Sequence, residues 1–248
     1  MASTSETGHA KNIANFEDLI SFCTGYGAAY NPGRENLTLI KLQGLYGAAQ
    51  NVLQDTKSAK TAFDNATNNR RIGFADLQPF AARLVNALTA FGASELVIAD
   101  AKAINKKIQG ARAKEKPAPP PAGAAASPAP KTISTSQQSY DSMVDHFTKM
   151  VEIATQESSY TPNEPELKIT GLQTKLNGLK AANTAVSNTY TAWSNARITR
   201  DNTLYNIITG LVPVALDVKK YIKSIFGPGS PQAKQLTALD FKVIANND

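Results

Sequence analysis

Apolar residues recur every three or four positions over most of this chain, a spacing that is typical of helices with one buried face. The longest such stripe lies in a helix that is predicted to begin near residues 34–36, and no proline interrupts it until Pro79. It predicts one helix of about 37 residues, a rod of roughly 55 Å. A rod of that length needs helices packed along its apolar face to be stable. The stripe consists of Leu39, Leu42, Tyr46, Ala49, Leu53, Thr56, Ala59, Phe63 and Ala66.

Shorter helical patterns flank this rod. The pattern over residues 12–29 predicts a helix that ends at the turn sequence of residues 30–33, Tyr-Asn-Pro-Gly. A second helix follows over 74–91, with Pro79 either in its first turn or at a kink in one continuous helix. Ser94 then marks the start of a further short helix.

The sequence contains an internal repeat of this helical pattern. Residues 61–66, Thr-Ala-Phe-Asp-Asn-Ala, return at 191–196 as Thr-Ala-Trp-Ser-Asn-Ala, 130 positions later. The spacing then drifts by a few residues over the last matches. The other matched pairs are Tyr30 with Tyr160, Pro32 with Pro162, Leu37 with Leu167, Leu42 with Leu172, Arg70 with Arg200, Pro79 with Pro213 and Phe91 with Phe226. An internal duplication of one helical unit explains these matches.

The second copy predicts helices over 139–158, from Leu167 through Ala196, over 204–226, and a short last helix reaching Ile244. No strand pattern interrupts either copy. The fold prediction is therefore all-α, with two homologous helical-bundle repeats that are each built on one long helix and joined by a Pro/Ala-rich linker. The predicted segments are a flexible tail over 1–11, a first repeat over 12–110, the linker over 111–137 and a second repeat over 138–248.

The distribution of charge along the chain does not favour nucleic-acid binding. The net charge is +6, but the 27 linker residues contribute +3 of it, from four basic residues and one acidic residue. Residues 1–110 carry 11 basic and 9 acidic residues, and residues 138–248 carry 11 and 10. A nucleic-acid-binding protein concentrates its basic residues on the folded surface or in a long tail. This distribution disfavours such a partner.

The sequence contains no recognisable catalytic constellation. His9 and His146 lie in different repeats without ligand partners at metal-binding spacing, and Cys23 lies on an apolar helix face. There is no phosphate-binding loop, dinucleotide fingerprint or nucleophile elbow. We therefore predict a protein that is not an enzyme, with no cofactor, no metal and no evident small-molecule substrate.

Two sets of residues are candidates for a role at the long helices. Arginines cluster near the far end of each, where they can contact a partner or an anion, or else satisfy helix carbonyls and nearby aspartates. These candidates are Arg70, Arg71, Arg197 and Arg200. The repeat-matched pairs Phe63 with Trp193 and Leu42 with Leu172 are predicted to be core positions, with a binding platform as the alternative for the aromatic pair.

The chain has no apolar signal region at its start and no run long enough to span a membrane. The nearest run, residues 204–216, is interrupted by Asn206, Gly210 and Pro213. The simpler interpretation of this run is a buried helix pair, and the alternative is insertion into a membrane. The predicted location is cytoplasmic, and a membrane partner is disfavoured.

Several segments resemble a family of proteins from flavobacteria and related Bacteroidota for which no activity is known. The segments that carry the resemblance are residues 3–12, 15–23, 30–32, 60–66 and 104–110. The resemblance extends over nearly the whole chain. It brings no activity, and it implies only a bacterial origin and a widespread product that does not look catalytic.

Three functional hypotheses follow. The first is a structural or protein-interaction protein, binding a protein partner or itself as a homo-oligomer, because duplicated long helices come with mixed-charge surfaces and no catalytic group. The second is a binder of nucleic acid or another polyanion, suggested by the pI of about 9.3 and the paired arginines. The third is a membrane-active long-helix protein, suggested by residues 204–216.

Overall fold

The computed structural model describes residues 4–110 and 138–244. This part of the chain folds into eight α-helices and two short 3-10 turns and contains no strand, which confirms the prediction of an all-α chain. The predicted linker, residues 111–137, lies outside the described residues. The helices are α1 (Thr4–Gly25), α2 (Leu39–Phe74), α3 (Leu77–Ala90), α4 (Glu95–Gln109), α5 (Tyr140–Gln156), α6 (Ile169–Tyr205), α7 (Leu211–Phe226) and α8 (Pro231–Thr237).

The first long helix has close to its predicted length, and the second extends beyond its predicted end at Ala196 to Tyr205. α2 spans 36 residues and α6 spans 37. Their first residues, Leu39 and Ile169, lie 130 positions apart, the spacing of the sequence repeat. The turn before each helix is held by the same hydrogen bond, since the hydroxyl of Tyr30 donates to the carbonyl of Leu37 at 2.6 Å and that of Tyr160 to the carbonyl of Leu167 at 2.8 Å.

The prediction of a loose tail over residues 1–11 is wrong from Thr4 onward, because α1 begins there. The segment looks loose in sequence because its residues are polar. In the structure His9 and Asn12 are buried, and both side chains make hydrogen bonds. Asn12 exchanges two hydrogen bonds with the backbone of Lys242, at 2.7 and 3.1 Å, and His9 Nδ1 lies 2.6 Å from the hydroxyl of Tyr205.

The predicted helix over 204–226 is interrupted in the structure. α6 ends at Tyr205 and α7 begins at Leu211. The side-chain oxygen of Asn206 accepts hydrogen bonds from the backbone of Ile208 and Thr209, at 3.0 and 3.1 Å, and this local bonding competes with a continuous helix.

The chain forms two compact units whose boundaries fall inside both long helices. Unit 1 comprises residues 1–64 and 188–248, and unit 2 comprises residues 65–187. Each unit therefore contains the first part of one long helix and the last part of the other. These units differ from the predicted repeats over 12–110 and 138–248, so the repeat stays a prediction about the sequence and does not describe the packing.

Each unit has its own apolar core. In unit 1 the core joins α1 to the first part of α2, the end of α6 and α7, with Phe16, Leu42 and Leu211 fully buried. In unit 2 it joins α3, α4 and α5 to the first part of α6, with Leu84 and Leu172 fully buried. Leu42 and Leu172 are thus both core residues, in different units.

One ion pair in each unit ties the turn before a long helix to a short helix. In unit 1 Arg34 pairs with Asp217 of α7 at 2.7 Å. In unit 2 Glu166 pairs with Arg83 of α3. Arg83 and Asp217 are 134 positions apart, the spacing that matches Pro79 with Pro213, so corresponding positions carry opposite charges.

Candidate interaction surface

Three aromatic rings meet on unit 1, where α2 lies beside the last part of α6. The hydroxyl of Thr56 shares its proton between the carbonyl of Val52 on its own helix, at 2.7 Å, and the carbonyl of Ala196 on α6, at 3.3 Å. The ring of Phe63 stacks on that of Trp193, with centroids 5.5 Å apart and an interplanar angle of 16°. Tyr190 lies 5.6 Å from Phe63 and packs edge-on to Trp193 at 6.1 Å.

Two cations lie over these rings. The ammonium of Lys60 is 5.3 Å from the centroid of Trp193 and 5.8 Å from that of Phe63. The guanidinium of Arg197 is 4.9 Å from the centroid of Trp193. Cations at these distances from an exposed ring contribute on the order of 0.5–1 kcal/mol each. We call the set Lys60, Phe63, Tyr190, Trp193 and Arg197 the Trp193 patch.

Helical geometry explains why these side chains converge. Tyr190, Trp193 and Arg197 are three and four residues apart on α6, so they lie on one face of that helix. Lys60 and Phe63 are three residues apart on α2, and Lys60 also pairs with Asp64 one turn later. The patch therefore combines π faces, cations and a neighbouring carboxylate within a few ångströms.

The predicted core role of Phe63 and Trp193 is not what the structure has. Both side chains are half-buried, and neither belongs to an apolar core of unit 1 or unit 2. Tyr190 is 52% exposed. The stripe that buries Leu42 at one end of α2 thus places Phe63 at a partly open surface further along the same helix.

The two arginines of the first long helix lie in unit 2 and differ in exposure. Arg70 is half-buried, and its guanidinium lies 4.2 Å from the centroid of Tyr140 on α5. Arg71 is exposed. Arg70 therefore acts in packing, and of these two only Arg71 presents its charge fully to the solvent.

The two arginines of the second long helix lie in unit 1. Arg197 belongs to the Trp193 patch. Arg200 is 1% exposed, and its guanidinium pairs with the carboxylate of Asp201 at 2.8 Å. A side chain so deeply buried cannot reach a partner, so the structure removes Arg200 from the candidate contacts.

A shallow groove of about 330 Å³ lies between α5 and α6 in unit 2. Val151, Glu152 and Thr155 line one wall, and Gln173, Leu176 and Lys180 line the other. The hydroxyl of Thr155 donates to the carbonyl of Val151, so it is committed to its own helix. The charged side chains in this lining are Glu152 and Lys180.

Other candidate chemistry is equally sparse in the described residues. Over 4–110 and 138–244, no three His, Cys, Asp or Glu side chains are placed to hold a metal ion. None of the helices in this part is both long enough and apolar enough to cross a membrane. Cys23 is fully buried, and burial raises the pKa of its thiol to about 12.

Some members of the Trp193 patch were not among the site residues expected from sequence. Tyr190 lies within the second predicted long helix, between Leu167 and Ala196, and Lys60 looks like an ordinary solvent-facing lysine. Their common signal is spacing, since each lies three residues before the matched aromatic residue of its repeat. That spacing places a side chain beside the ring, but it does not say whether the ring is covered.

No protein-family model, curated protein or solved structure matches this chain. The resemblance to proteins of flavobacteria and related Bacteroidota therefore stays a prediction, and the geometry of the chain is the basis for a functional proposal.

Proposed function

We propose that this protein is a non-enzymatic helical scaffold that self-associates through the Trp193 patch. The observation that carries the proposal is the composition and exposure of the patch. Tryptophan, tyrosine and arginine are the residue types that dominate binding energy in protein interfaces. Here one of each lies on a single face of α6, partly open to solvent and outside both apolar cores.

The partner is taken to be a second copy because the patch is complementary to itself. An isologous interface brings the same surface of two copies together, so each group must find its complement within that surface. The Trp193 patch contains both π faces and the cations Lys60 and Arg197 that bind such faces. It also contains the Lys60–Asp64 ion pair, whose two charges can exchange partners across a twofold axis.

The charge of the chain does not oppose such an association. The net charge is +6 over 248 residues, and half of it lies in residues 111–137. Residues 50–66 and 188–202, the stretches that contain the patch, together carry four basic and three acidic residues. Two copies of so nearly neutral a surface repel each other weakly at physiological ionic strength.

Binding of a polyanion is the second candidate, because aromatic rings beside basic side chains are also used to bind single-stranded nucleic acid. Asp64 counts against it, since its carboxylate occupies Lys60 next to the rings. The two candidates differ in their response to salt. Polyanion binding weakens steeply as salt rises, whereas association through stacked rings depends on salt far less.

The test is light scattering after size exclusion over a concentration series of the full chain. We expect the mass of the wild type to rise from 26.5 kDa towards twice that value. Trp193→Ala should weaken association by at least about 30-fold, the effect of losing one interface hot spot. Tyr190→Ala, which removes a ring that is already half exposed, should weaken it as well with less risk to folding.

The matched control is Leu96→Ala, because Leu96 is an apolar side chain on α4 that is 80% exposed and lies outside the patch. It should leave the mass curve unchanged. A wild type that keeps one mass at every concentration would refute the proposal. So would association that both patch variants retain in full while circular dichroism shows them folded.

A further inference from the structure

His146 is a buried imidazole on α5 without a hydrogen-bond partner in the described part of unit 2. The residue is 6% exposed, and neither Nδ1 nor Nε2 has a bonding group within reach. Its helix neighbours Phe147 and Met150 are fully buried in the core of unit 2. Burying a neutral imidazole here without hydrogen bonds costs free energy. Burying an imidazolium costs far more, because no group replaces the water that the cation loses.

The charges near the ring oppose a second positive charge. Lys107 approaches from α4, and Lys149 lies on α5 itself. The one carboxylate that favours protonation is that of Asp145, 3.9 Å from Nδ1, but it pairs with the ammonium of Lys149 at 2.7 Å. No charged side chain of α3 or α6 in the described residues acts on the ring.

We propose that His146 is an acid-sensitive latch of unit 2: protonation of the buried ring drives the local separation of α4 from α5. Only one proton moves, from water to a ring nitrogen that becomes accessible when the two helices part. α4 and α5 make one of the most extensive helix–helix contacts of unit 2. Near the end of α4, the side chain of Gln138, which precedes α5, donates to the carbonyl of Lys107 at 2.6 Å. The opened state exposes core side chains such as Phe147.

The direction of the pH effect follows from linkage. Burial is the main cause that lowers the pKa of His146 below its ordinary value of 6.5, and Lys107 adds to it. The open state takes up a proton near pH 6.5, and the closed state does so only at its lower pKa. The closed form therefore keeps its full stability above pH 6.5. Between pH 6.5 and the lowered pKa of the closed state, its opening constant rises by up to about tenfold for each pH unit.

Hydrogen exchange of the full chain at pH 7.5 and 5.5 tests the latch, with protection factors corrected for the intrinsic pH dependence of exchange. In the wild type, protection of the α4 and α5 amides should fall by up to about tenfold at pH 5.5. His146→Leu, which fills the site with an apolar side chain that cannot titrate, should abolish this loss. The acidic groups near the ring do not interfere, because the pKa of Asp145 is lowered below its usual 3.8 by hydrogen bonding to Lys149.

The matched control is His9→Gln, because His9 and His146 are the chain's two histidines and both are buried. This variant should retain the acid response of α4 and α5. If His146→Leu fails to fold, proton NMR titration of the wild-type imidazoles decides the matter, with one of the two expected to titrate with a midpoint below 6.5. Equal protection at both pH values, an acid response that His146→Leu retains, or two midpoints at or above 6.5 would overturn the proposal.

Discussion

The hydroxyls of Tyr30 and Tyr160 offer the sharpest test of how the turns before the long helices are held. Each ring is 6% exposed, and each hydroxyl donates to a buried carbonyl seven residues later. Replacement by phenylalanine removes the donor and keeps the ring. Tyr160→Phe removes the hydrogen bond to Leu167, whereas Tyr30→Phe removes the bond to Leu37 together with a contact between the hydroxyl and the thiol of Cys23.

The expected cost is that of leaving a buried carbonyl without this donor, about 1.5 kcal/mol per variant. For a chain of this size that corresponds to a fall in Tm of roughly 3–6 °C. Urea denaturation followed by circular dichroism measures the free energy of unfolding. Hydrogen exchange should place the loss at the first turn of α2 for Tyr30→Phe and at the first turn of α6 for Tyr160→Phe.

Tyr190→Phe is the control, because Tyr190 is 52% exposed and its hydroxyl can be replaced at the surface by water. It should change stability by less than about 0.5 kcal/mol. The reasoning would be refuted if the two buried variants cost no more than this exposed one, since the turn would then be held by packing of the rings alone.

Two further predictions concern charge. Arg83→Glu should destabilise the chain by about 0.5–1 kcal/mol, and adding Glu166→Arg should restore most of it, because both side chains are about half exposed; a urea-unfolding cycle in which the second change restores nothing would contradict this. The thiol of Cys23, with its pKa raised from 9.0 to about 12 by burial, stabilises the fold fully below pH 9. That contribution falls by about 1 kcal/mol by pH 10, and the same decline in Cys23→Ala would show that another group causes it.

The long helices could be predicted because their signal is long and regular. A stripe held over nine positions and a turn sequence before it place the start of α2 within a few residues of Leu39. The start of α1 was missed because its first turns are polar, and the hydrogen bonds that bury Asn12 involve Lys242, some 230 residues away. No local pattern carries such a contact.

The composition of the two compact units was not predicted, because packing within a repeat and packing between repeats bury the same stripes. Once the contacts are known, charge distinguishes the two kinds of packing. Packing within a repeat would bring Arg34 towards Arg83 and Glu166 towards Asp217, which places like charges together. The observed units instead pair Arg34 with Asp217 and Arg83 with Glu166. The sequence alone does not show which residues face these positions.

The candidate surface was predictable only in part. The matched aromatics Phe63 and Trp193 stand out in the sequence, but a helical stripe predicts which face is apolar and not how fully it is covered. Arg200 shows the reverse case, since a residue that looks like a surface cation is 1% exposed beside Asp201. Both errors concern burial, which depends on helices that are distant in sequence.

Fluorescence of Trp193 over a dilution series tests the central claim most directly, because Trp193 is the single tryptophan of the chain. If copies associate through the Trp193 patch, the ring loses contact with water on association. Its emission should then shift to shorter wavelength as concentration rises, with the same midpoint as the increase in mass. An increase in mass without any change in Trp193 emission would place the interface elsewhere, and constant emission at constant mass would contradict self-association altogether.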